Sequence, residues 1–429
     1  MKILLVVFDL DYRGTQRCVK ECAMVYRPHH DVRVYAFQRG GEIAAELQAE
    51  NIPVWVGKDA LQRCLQFRPD IVHVHRPGDG SACYASLFKE FKDMGAKIIE
   101  TSVFGFVDYT PAGQWVDLSL HISHWNLYRW NRLKSGYPYR GVYLPNIVDT
   151  ARLRRSSMKE IQSYRDALHI PHDAFVVGRI GKTKWPWVNR FIYPILKQHP
   201  NTWFLSVQDD GGDDDRFAAW DAETRKRVVE IPRMNYAEVP LFYSACTITL
   251  NMSYIGESFG FVIAESMCCE TPVVAVSTPD IDDAQIEVVQ HGVGGFVAPS
   301  ARTIGGLLDA IIRNPEKLDE VRPHSRRLIQ ERYSREVVGP WLNDIVGLVC
   351  THSGQDLADA LTAKGYITGI PRREIITSLR NLWRPTNPWM LLWMDIKHTG
   401  WVRRAREVLR YNFRSWSQPK TKAQSGCEN

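Results

Sequence analysis

The stretch "CTITLNMSYIGESFGFVIAESMCCETPVVAVS", residues 246–277, decides the fold of this chain. It opens on an apolar run, turns through a short polar step, and passes through a helical segment into a second apolar run. Strand, helix and strand in this order predict a parallel βαβ unit with a right-handed connection. Ligands of such sheets bind beyond the carboxyl ends of the strands, where this turn places Glu257.

The same alternation continues through most of the chain in two series. Before residue 150, the runs "KILLVVF", "DVRVYAF" and "DIVHVH" read as strands between helical patterns, and "AFVVGRIG", "TWFLSV" and "TPVVAVS" do so after it. We therefore predict an α/β protein with two Rossmann-like, doubly wound domains, 1–150 and 151–335, that face each other across a cleft. Residues 336–429 are predicted to form a helical crossover and a basic, Trp-rich extension.

Composition indicates an ordinary globular protein. The chain has 429 residues, of which 45% are hydrophobic and 24% charged, and two domains suit this length. No apolar run approaches the roughly 18 residues of a membrane span, and the amino terminus does not resemble a signal peptide. Nine cysteines without regular spacing argue against a disulfide framework, so we expect a cytoplasmic location.

The basic excess lies in the last part of the chain. Residues 351–429 hold 13 Lys or Arg and 6 Asp or Glu, a surplus larger than the net charge of +6 for the whole chain. A nucleic-acid footprint over the whole protein is therefore not expected. The extension mixes tryptophan and arginine, which suits a helix at an anionic membrane surface or a helical appendage packed on the domains. These residues are Trp383, Trp389, Trp393, Trp401, Trp416, Arg403, Arg404, Arg406, Arg410 and Arg414.

Two loops have the composition of anion sites. "VVGRIGKTKW" places Arg179 and Lys184 five residues apart between a strand and a helix, where amides and cations favour phosphate. A solvated loop is the alternative. At the first strand, Gly14 in "DLDYRGTQR" lets the backbone approach a ligand closely.

Two acids, Glu257 and Glu265, frame the step "ESFGFVIAE". If the helix begins near Ser258, the first amides of the helix point beyond the strand, and Glu265 lies about two turns in. Carboxylates accept paired hydroxyl hydrogen bonds well, as in sugar or ribose recognition. Interaction with the helix dipole is the alternative, but it explains Glu257 better than Glu265.

Other clusters have simpler explanations. "VQDDGGDDDR", with acids between Asp209 and Asp215, could bind a hard cation, but its spacing favours a solvated loop. Four histidines near strand ends lack the spacing of zinc ligands, which favours core or cleft-lining roles: His73, His75, His121 and His124. "HWNLYRWNRLKSGYPYRG" suits an amphipathic helix, or a face for an anionic acceptor or lipid headgroups.

Several segments together resemble retaining glycosyltransferases of family 4, which have the GT-B architecture of two Rossmann-like domains. The matching segments are "GRIGKTK", "SYIGESFGFVIAESMCCETPVVAV", "GVGGFVAP" and the interdomain "LPNIVD", and the resemblance extends over roughly residues 1–345. It implies transfer of a sugar from a nucleoside-diphosphate sugar to an acceptor hydroxyl with retained configuration. It also implies no metal or other cofactor, and an acceptor that is a glycan or a lipid-linked glycan.

The resemblance also assigns roles to residues. Arg179 and Lys184 would hold the diphosphate and Glu265 the ribose hydroxyls, while Glu257 would position the donor sugar rather than attack it. Gly14 would approach the diphosphate from the opposite domain. The catalytic set would be Glu257, Arg179 and Lys184, and the donor site would add Gly14, Ser258, Phe259, Gly260, Phe261 and Glu265.

Three positions depart from the family pattern. Gly14 stands in an Arg-Gly-Thr step where many members have two glycines, and Glu270 replaces a glycine that ends a helix. Phe104 occupies the position of a common histidine that contacts the C6 hydroxyl of the donor, which suggests a sugar that lacks this hydroxyl. These departures keep an alternative open, a nucleotide-sugar-binding protein without turnover.

Overall fold

A computed structural model of the chain describes residues 1–77, 82–134, 140–181, 186–207, 217–231, 234–253, 255–279, 281–382, 388–397 and 399. It divides into two compact units. The first contains Met1–Pro145 and Gly339–Ile376, together with the described residues from 388 onward. The second contains Asn146–Val338, together with the described residues of Thr377–Pro385. The chain thus leaves the first unit after Pro145 and re-enters it after Val338.

The first unit is built on a seven-stranded, wholly parallel sheet in the order β3-β2-β1-β4-β5-β6-β7. Its strands are β1 Lys2–Val7, β2 Asp31–Ala36, β3 Val54–Val56, β4 Ile71–Arg76, β5 Lys97–Ser102, β6 Leu118–His121 and β7 Arg140–Tyr143. Five helices connect them: α1 Gly14–Tyr26, α2 Glu42–Ala49, α3 Leu61–Phe67, α4 Ala82–Asp93 and α5 His124–Leu133. The strands are nearly continuous apolar runs because both faces are covered.

The second unit repeats this plan with six parallel strands in the order β10-β9-β8-β11-β12-β13. Its strands are β8 Phe175–Arg179, β9 Thr202–Val207, β10 Val228–Ile231, β11 Ile248–Asn251, β12 Val273–Val276 and β13 Gly295–Ala298. Its helices are α6 Met158–Ala167, α7 Pro186–Gln198, α8 Ala222–Arg225, α9 Val239–Ala245, α10 Phe261–Cys268, α11 Gln285–Val289, α12 Ile304–Arg313 and α13 Glu316–Tyr333. The prediction of two Rossmann-like α/β sheets is confirmed.

Within the described residues four helices follow: α14 Arg335–Thr351, α15 Gly354–Ala363, α16 Arg372–Leu382 and α17 Pro388–Lys397. The segment after α15 covers the outer edge of the first sheet. The backbone N–H of Tyr143 in β7 donates to the carbonyl of Ile367 at 2.8 Å, and Asn131 Nδ2 donates to the carbonyl of Thr368 at 3.2 Å. The outward N–H of Tyr143 in this edge strand is therefore bonded by a segment more than two hundred residues later in the chain.

Each unit has its own hydrophobic core. The first contains Trp130, Phe88 and Phe91, all fully buried, and the second contains Phe204, Ile192 and Ile248. Helix α5, the aromatic and arginine-rich segment of the sequence, belongs to the first core, since seven of its ten residues are buried. Helix α5 therefore does not present an open face to an anionic acceptor or a lipid. Among the described residues, no helix is both long and apolar enough to cross a membrane.

Candidate functional site

The candidate donor site of the second unit lies where the direction of strand order reverses. The sheet grows outward from β8 in one direction and from β11 in the other, so the loops after these neighbouring strands diverge and leave a crevice. Arg179 is the last residue of β8, and Asn251 is the last residue of β11. The carboxyl ends of the two strands thus place a cation and an amide next to each other.

Arg179 is buried, with 3% of its surface exposed. Its Nη1 donates to the carbonyl of Gly181 at 3.2 Å, which turns the guanidinium back over the loop that follows the strand. Lys184, the second cation predicted for this loop, lies outside the described residues, as does the acidic segment Asp209–Asp215.

Glu257 is half-buried and fixed from three directions. Its Oε1 accepts a hydrogen bond from Asn251 Nδ2 at 3.0 Å, its N–H donates to Gln285 Oε1 at 3.1 Å, and its carbonyl accepts from the N–H of Ala284 at 2.9 Å. Gln285 is itself held, because its Nε2 donates to the carbonyl of Val276 at 2.7 Å. The carboxylate therefore has a defined position at the end of β11.

Burial raises the pKa of Glu257 to about 7. The hydrogen bond from Asn251 and the charge of Arg179 both lower this pKa, whereas Asp282 raises it further. The structure thus brings Arg179 and Glu257 close enough for their charges to interact. A carboxyl that titrates near neutrality beside a cation in a crevice is a feature common at functional sites.

Helix α10 begins at Phe261, three residues later than the predicted start near Ser258, so that prediction was wrong. Gly260 adopts φ 88° and ψ 69°, a left-handed conformation that a helix cannot continue through, and it caps α10 without a side-chain hydrogen bond. Phe259 is buried and packs edge-on against Tyr333, with ring centroids 5.2 Å apart. Its side chain anchors the loop, and the helix amides start at Phe261.

Glu265 lies just over one turn into α10, rather than two turns, for the same reason. It is 3% exposed, and its Oε2 accepts a hydrogen bond from the hydroxyl of Tyr243 at 3.3 Å. A buried carboxylate held by a tyrosine is costly unless its environment supplies hydrogen bonds, and a ligand diol can supply two. Its role as the ribose contact stays a prediction.

Two further predicted residues lie in the first unit. Gly14 is the first residue of α1, which begins without a side-chain cap. Phe104 follows β5 with 39% of its surface exposed, and its carbonyl accepts a hydrogen bond from Arg129 Nη2. An exposed aromatic ring on a loop at the carboxyl end of the sheet is available to a ligand. The assignment of Gly14 and Phe104 to the donor also stays a prediction.

Comparison with known proteins supports this interpretation of the second unit. Residues 168–328 match the family of glycosyl transferases group 1. This region includes Arg179, Glu257 and Glu265 but fewer than half of the residues of the chain. No curated protein matches the sequence at a significant level.

Solved structures show the same architecture over most of the chain. HepE (Alr3699) of Anabaena, solved with UDP-glucose, is 18% identical with a TM-score of 0.65, over 81% of this chain and 99% of that one. Sucrose-phosphate synthase of Thermosynechococcus elongatus is 14% identical with a TM-score of 0.59, over 82% and 99%.

WaaG, a glycosyltransferase involved in lipopolysaccharide biosynthesis, is 14% identical with a TM-score of 0.55, over 80% of this chain and 100% of that one. The likeness to all three proteins lies in the fold, given the low sequence identities. The chain therefore has the GT-B fold, and its residues 168–328 are similar to glycosyl transferases group 1.

Proposed function

We propose that this protein is a retaining glycosyltransferase of family 4, which moves a sugar from a nucleoside-diphosphate sugar to an acceptor hydroxyl without a metal ion. The observation that carries the proposal is the proximity of Arg179, at the end of β8, to Glu257, which is held by Asn251 at the end of β11 and lies beside the first amides of α10. A cation with helix amides suits a diphosphate, and a carboxylate suits sugar hydroxyls. The family match and the UDP-glucose complex of HepE support the same chemistry.

Each residue has a defined task in this proposal. Arg179, together with Lys184, neutralises the charge that develops on the departing diphosphate, a task that bound metals perform in other enzymes. Glu257 accepts hydrogen bonds from the donor sugar and holds its reacting carbon toward the acceptor. Glu265 accepts the ribose hydroxyls. The acceptor hydroxyl attacks from the face that the diphosphate leaves, and its proton passes to a diphosphate oxygen, so that configuration is retained.

A screen of nucleotide sugars against the full chain tests donor use. Donors that bind only the folded state raise its melting temperature, so UDP-, GDP- and ADP-sugars can be ranked by thermal shift and then by turnover. Retention is checked from the anomeric configuration of the product by NMR. Donor binding without transfer or hydrolysis would favour the alternative of a non-catalytic binding protein.

Two substitutions separate binding from turnover. Arg179→Gln should weaken binding of the nucleoside diphosphate about 10- to 100-fold, because a charge-assisted hydrogen bond contributes about 1.5–3 kcal/mol. Glu257→Gln should leave this binding intact and suppress turnover. Arg302→Gln, which changes an exposed cation of the same unit, is the matched control. Full turnover in Glu257→Gln would refute its proposed role.

Metal independence is tested separately. Turnover should survive brief treatment with EDTA, because cations and amides of the protein carry the charge of the leaving group. Loss of turnover that Mg²⁺ or Mn²⁺ restores would contradict this part of the proposal and would support the acidic segment Asp209–Asp215 as a metal site.

The loop of Phe104 suggests the kind of sugar. Its exposed ring offers an apolar contact where the family commonly has a histidine for the C6 hydroxyl, so we propose a donor without this hydroxyl, such as a 6-deoxyhexose or a pentose. Competition between UDP-glucose and UDP-xylose, or a deoxyhexose donor, tests this preference. A clear preference for glucose would dismiss it.

We further propose a cytoplasmic enzyme that contacts the membrane surface to build a glycan or glycolipid. The seven cysteines whose side chains the structure describes are free thiols, as a reducing compartment would have them. Helix α17 exposes four large apolar side chains at spacings of three and four residues, which is one helical face. They are Trp389, Leu392, Trp393 and Ile396, with 76%, 49%, 49% and 44% of their surfaces exposed.

A further inference from the structure

The first unit contains a buried cluster of soft metal ligands that the proposed transfer reaction does not use. Cys18 and Cys22 lie four residues apart on α1 and therefore share one helical face, and His75 lies on β4 beneath them. The two sulfurs and a ring nitrogen of His75 all lie within 4.8 Å of one another. All three residues are buried, with 4%, 4% and 1% of their surfaces exposed.

His75 differs from its neighbour His73 on the same face of β4. The rings stack with centroids 4.4 Å apart, but His73 has both nitrogens bonded, Nδ1 to the Tyr26 hydroxyl at 3.0 Å and Nε2 to Thr101 Oγ1 at 2.8 Å. Neither nitrogen of His75 has a hydrogen bond of good geometry within the described part of the chain. A buried imidazole needs a hydrogen-bond partner or a metal ion, and thiols are weak hydrogen-bond partners.

We propose that Cys18, Cys22 and His75 bind a thiophilic cation, with Zn²⁺ as the probe, which ties α1 to β4. Zinc takes thiolate and imidazole ligands at about 2.3 and 2.0 Å, so tetrahedral ligand atoms lie about 3.5–3.8 Å apart. Each pair of these atoms must therefore approach by at most about 1.3 Å. Such a shift is small for cysteine side chains, which can change rotamer on a fixed helix.

The depth of the cluster agrees with a structural role for the ion. Because all three ligands are buried, the ion would have a structural role, in which it links α1 to β4, rather than a catalytic role in contact with a substrate. Helix α1 begins at Gly14, so the ion would also fix the loop after β1.

Cobalt binding to the full chain tests this site without any assay of transfer. Metal-free protein titrated with Co²⁺ should bind about one ion per chain and develop thiolate-to-cobalt charge-transfer absorption. Loss of an outer-shell partner weakens metal binding about 10- to 100-fold. Cys18→Ala and Cys22→Ala should each weaken cobalt binding by more than this, because each removes a direct ligand. Cys64→Ala, which changes another buried cysteine of the same unit, should bind like the wild type.

A second measurement covers variants that fail to fold. In moderate urea, Zn²⁺ should protect Cys18 and Cys22 of the wild type from alkylation, as read by mass spectrometry, and should protect Cys64 far less. Absence of the charge-transfer band, or equal alkylation with Zn²⁺ and with chelator, would overturn the proposal. Either result leaves the proposed transfer reaction untouched, because neither readout involves a sugar donor.

Discussion

Glu257 shows how one residue can serve a ligand at a cost to the folded protein. Its carboxyl is partly withdrawn from water, and the hydrogen bond from Asn251 and the charge of Arg179 compensate only in part, so its pKa rises to about 7. Above this pH the folded state contains a charge that the unfolded chain would solvate better. A bound sugar would supply the missing hydrogen bonds.

The pH dependence of stability follows from this shift. Between the ordinary pKa of 4.5 and about 7, the folded state binds more protons than the unfolded state, so stability falls as pH rises through this window. Glu257→Gln removes the charge and keeps an acceptor for Asn251. It should therefore raise the free energy of unfolding by about 1–3 kcal/mol above pH 8, and by almost nothing near pH 4.

Urea unfolding at the two pH values measures this difference. Glu320→Gln, at an exposed position on α13, is the control and should change stability little at either pH. A stabilisation of Glu257→Gln that is equal at both pH values would contradict the assigned cause.

The sequence identified Arg179, Glu257 and Glu265 as candidates because residue type and spacing around a strand end suffice for that. It did not predict the raised pKa of Glu257, which depends on burial by residues far along the chain. It also missed the cluster of Cys18, Cys22 and His75. The spacing of the two cysteines by four on a helix was visible, but only strand pairing shows which histidine lies below them.

At the level of elements, both ends of α10 depend on left-handed backbone. Gly260 has φ 88°, and a Cβ there would lie 2.9 Å from Ile263 Cδ1 and 3.3 Å from Glu257 Cγ. Gly260→Ala should therefore lower the free energy of unfolding by about 1–3 kcal/mol, through backbone strain and crowding.

Gly306→Ala provides the contrast in the same unit. Gly306 lies within α12, and nothing lies within 4 Å of a Cβ placed there. Alanine should stabilise that helix by up to about 1 kcal/mol. If chemical denaturation finds the variants at 260 and 306 equally stable, the left-handed cap does not set the start of α10.

The other end of α10 carries an unusual residue. The N–H of Thr271 donates to the carbonyl of Ser266 at 3.0 Å and the N–H of Glu270 to that of Met267 at 3.0 Å, the pattern of a Schellman motif. Glu270 occupies its left-handed position with φ 58°, where glycine is usual. The sequence showed this departure, and the structure shows its conformational cost.

Glu270→Gly should stabilise the protein by about 0.5–1 kcal/mol, because relief of the left-handed strain exceeds the added entropy of the unfolded chain. Glu270→Ala removes the same carboxylate but keeps the Cβ, so it should show no comparable gain. Thermal and urea unfolding of the pair separate the two effects. A gain of equal size in both variants would assign it to charge instead.

Sequence patterns found most elements but missed several. Strands β7 and β10 and helices α6 and α8 were not predicted, whereas the long apolar strands and most periodic helices were. Each missed strand has four residues at the edge of its sheet, where few apolar contacts are needed and the period-two signal is short. Tertiary pairing, which sequence alone does not show, fixes them.

At the scale of the whole molecule, the exposed face of α17 predicts membrane association. Full-length protein should float with liposomes containing anionic lipid, and Trp389→Ala with Trp393→Ala should reduce the floated fraction several-fold, since aromatic side chains anchor helices at the interface. Trp341→Ala, at an exposed tryptophan of α14, is the matched control and should float like the wild type.

Equal flotation of the wild type and the α17 double variant would show that this helix does not mediate membrane binding. The variants are preferable to a truncation after Cys350, because α15 and α16 bury Leu357, Leu361 and Leu379. Removing those helices would expose apolar surface and could itself promote adsorption to lipid.

The late strand-edge contact between Tyr143 and Ile367 has a consequence for biosynthesis. A ribosome adds about 5–20 residues per second. The segment around Ile367 is therefore synthesised on the order of tens of seconds after β7, and the edge of the first sheet is uncovered during this time. The second unit is made almost entirely within this interval. A nascent chain stalled before residue 367 should therefore engage chaperones through β7, and release as soon as the covering segment emerges from the exit tunnel.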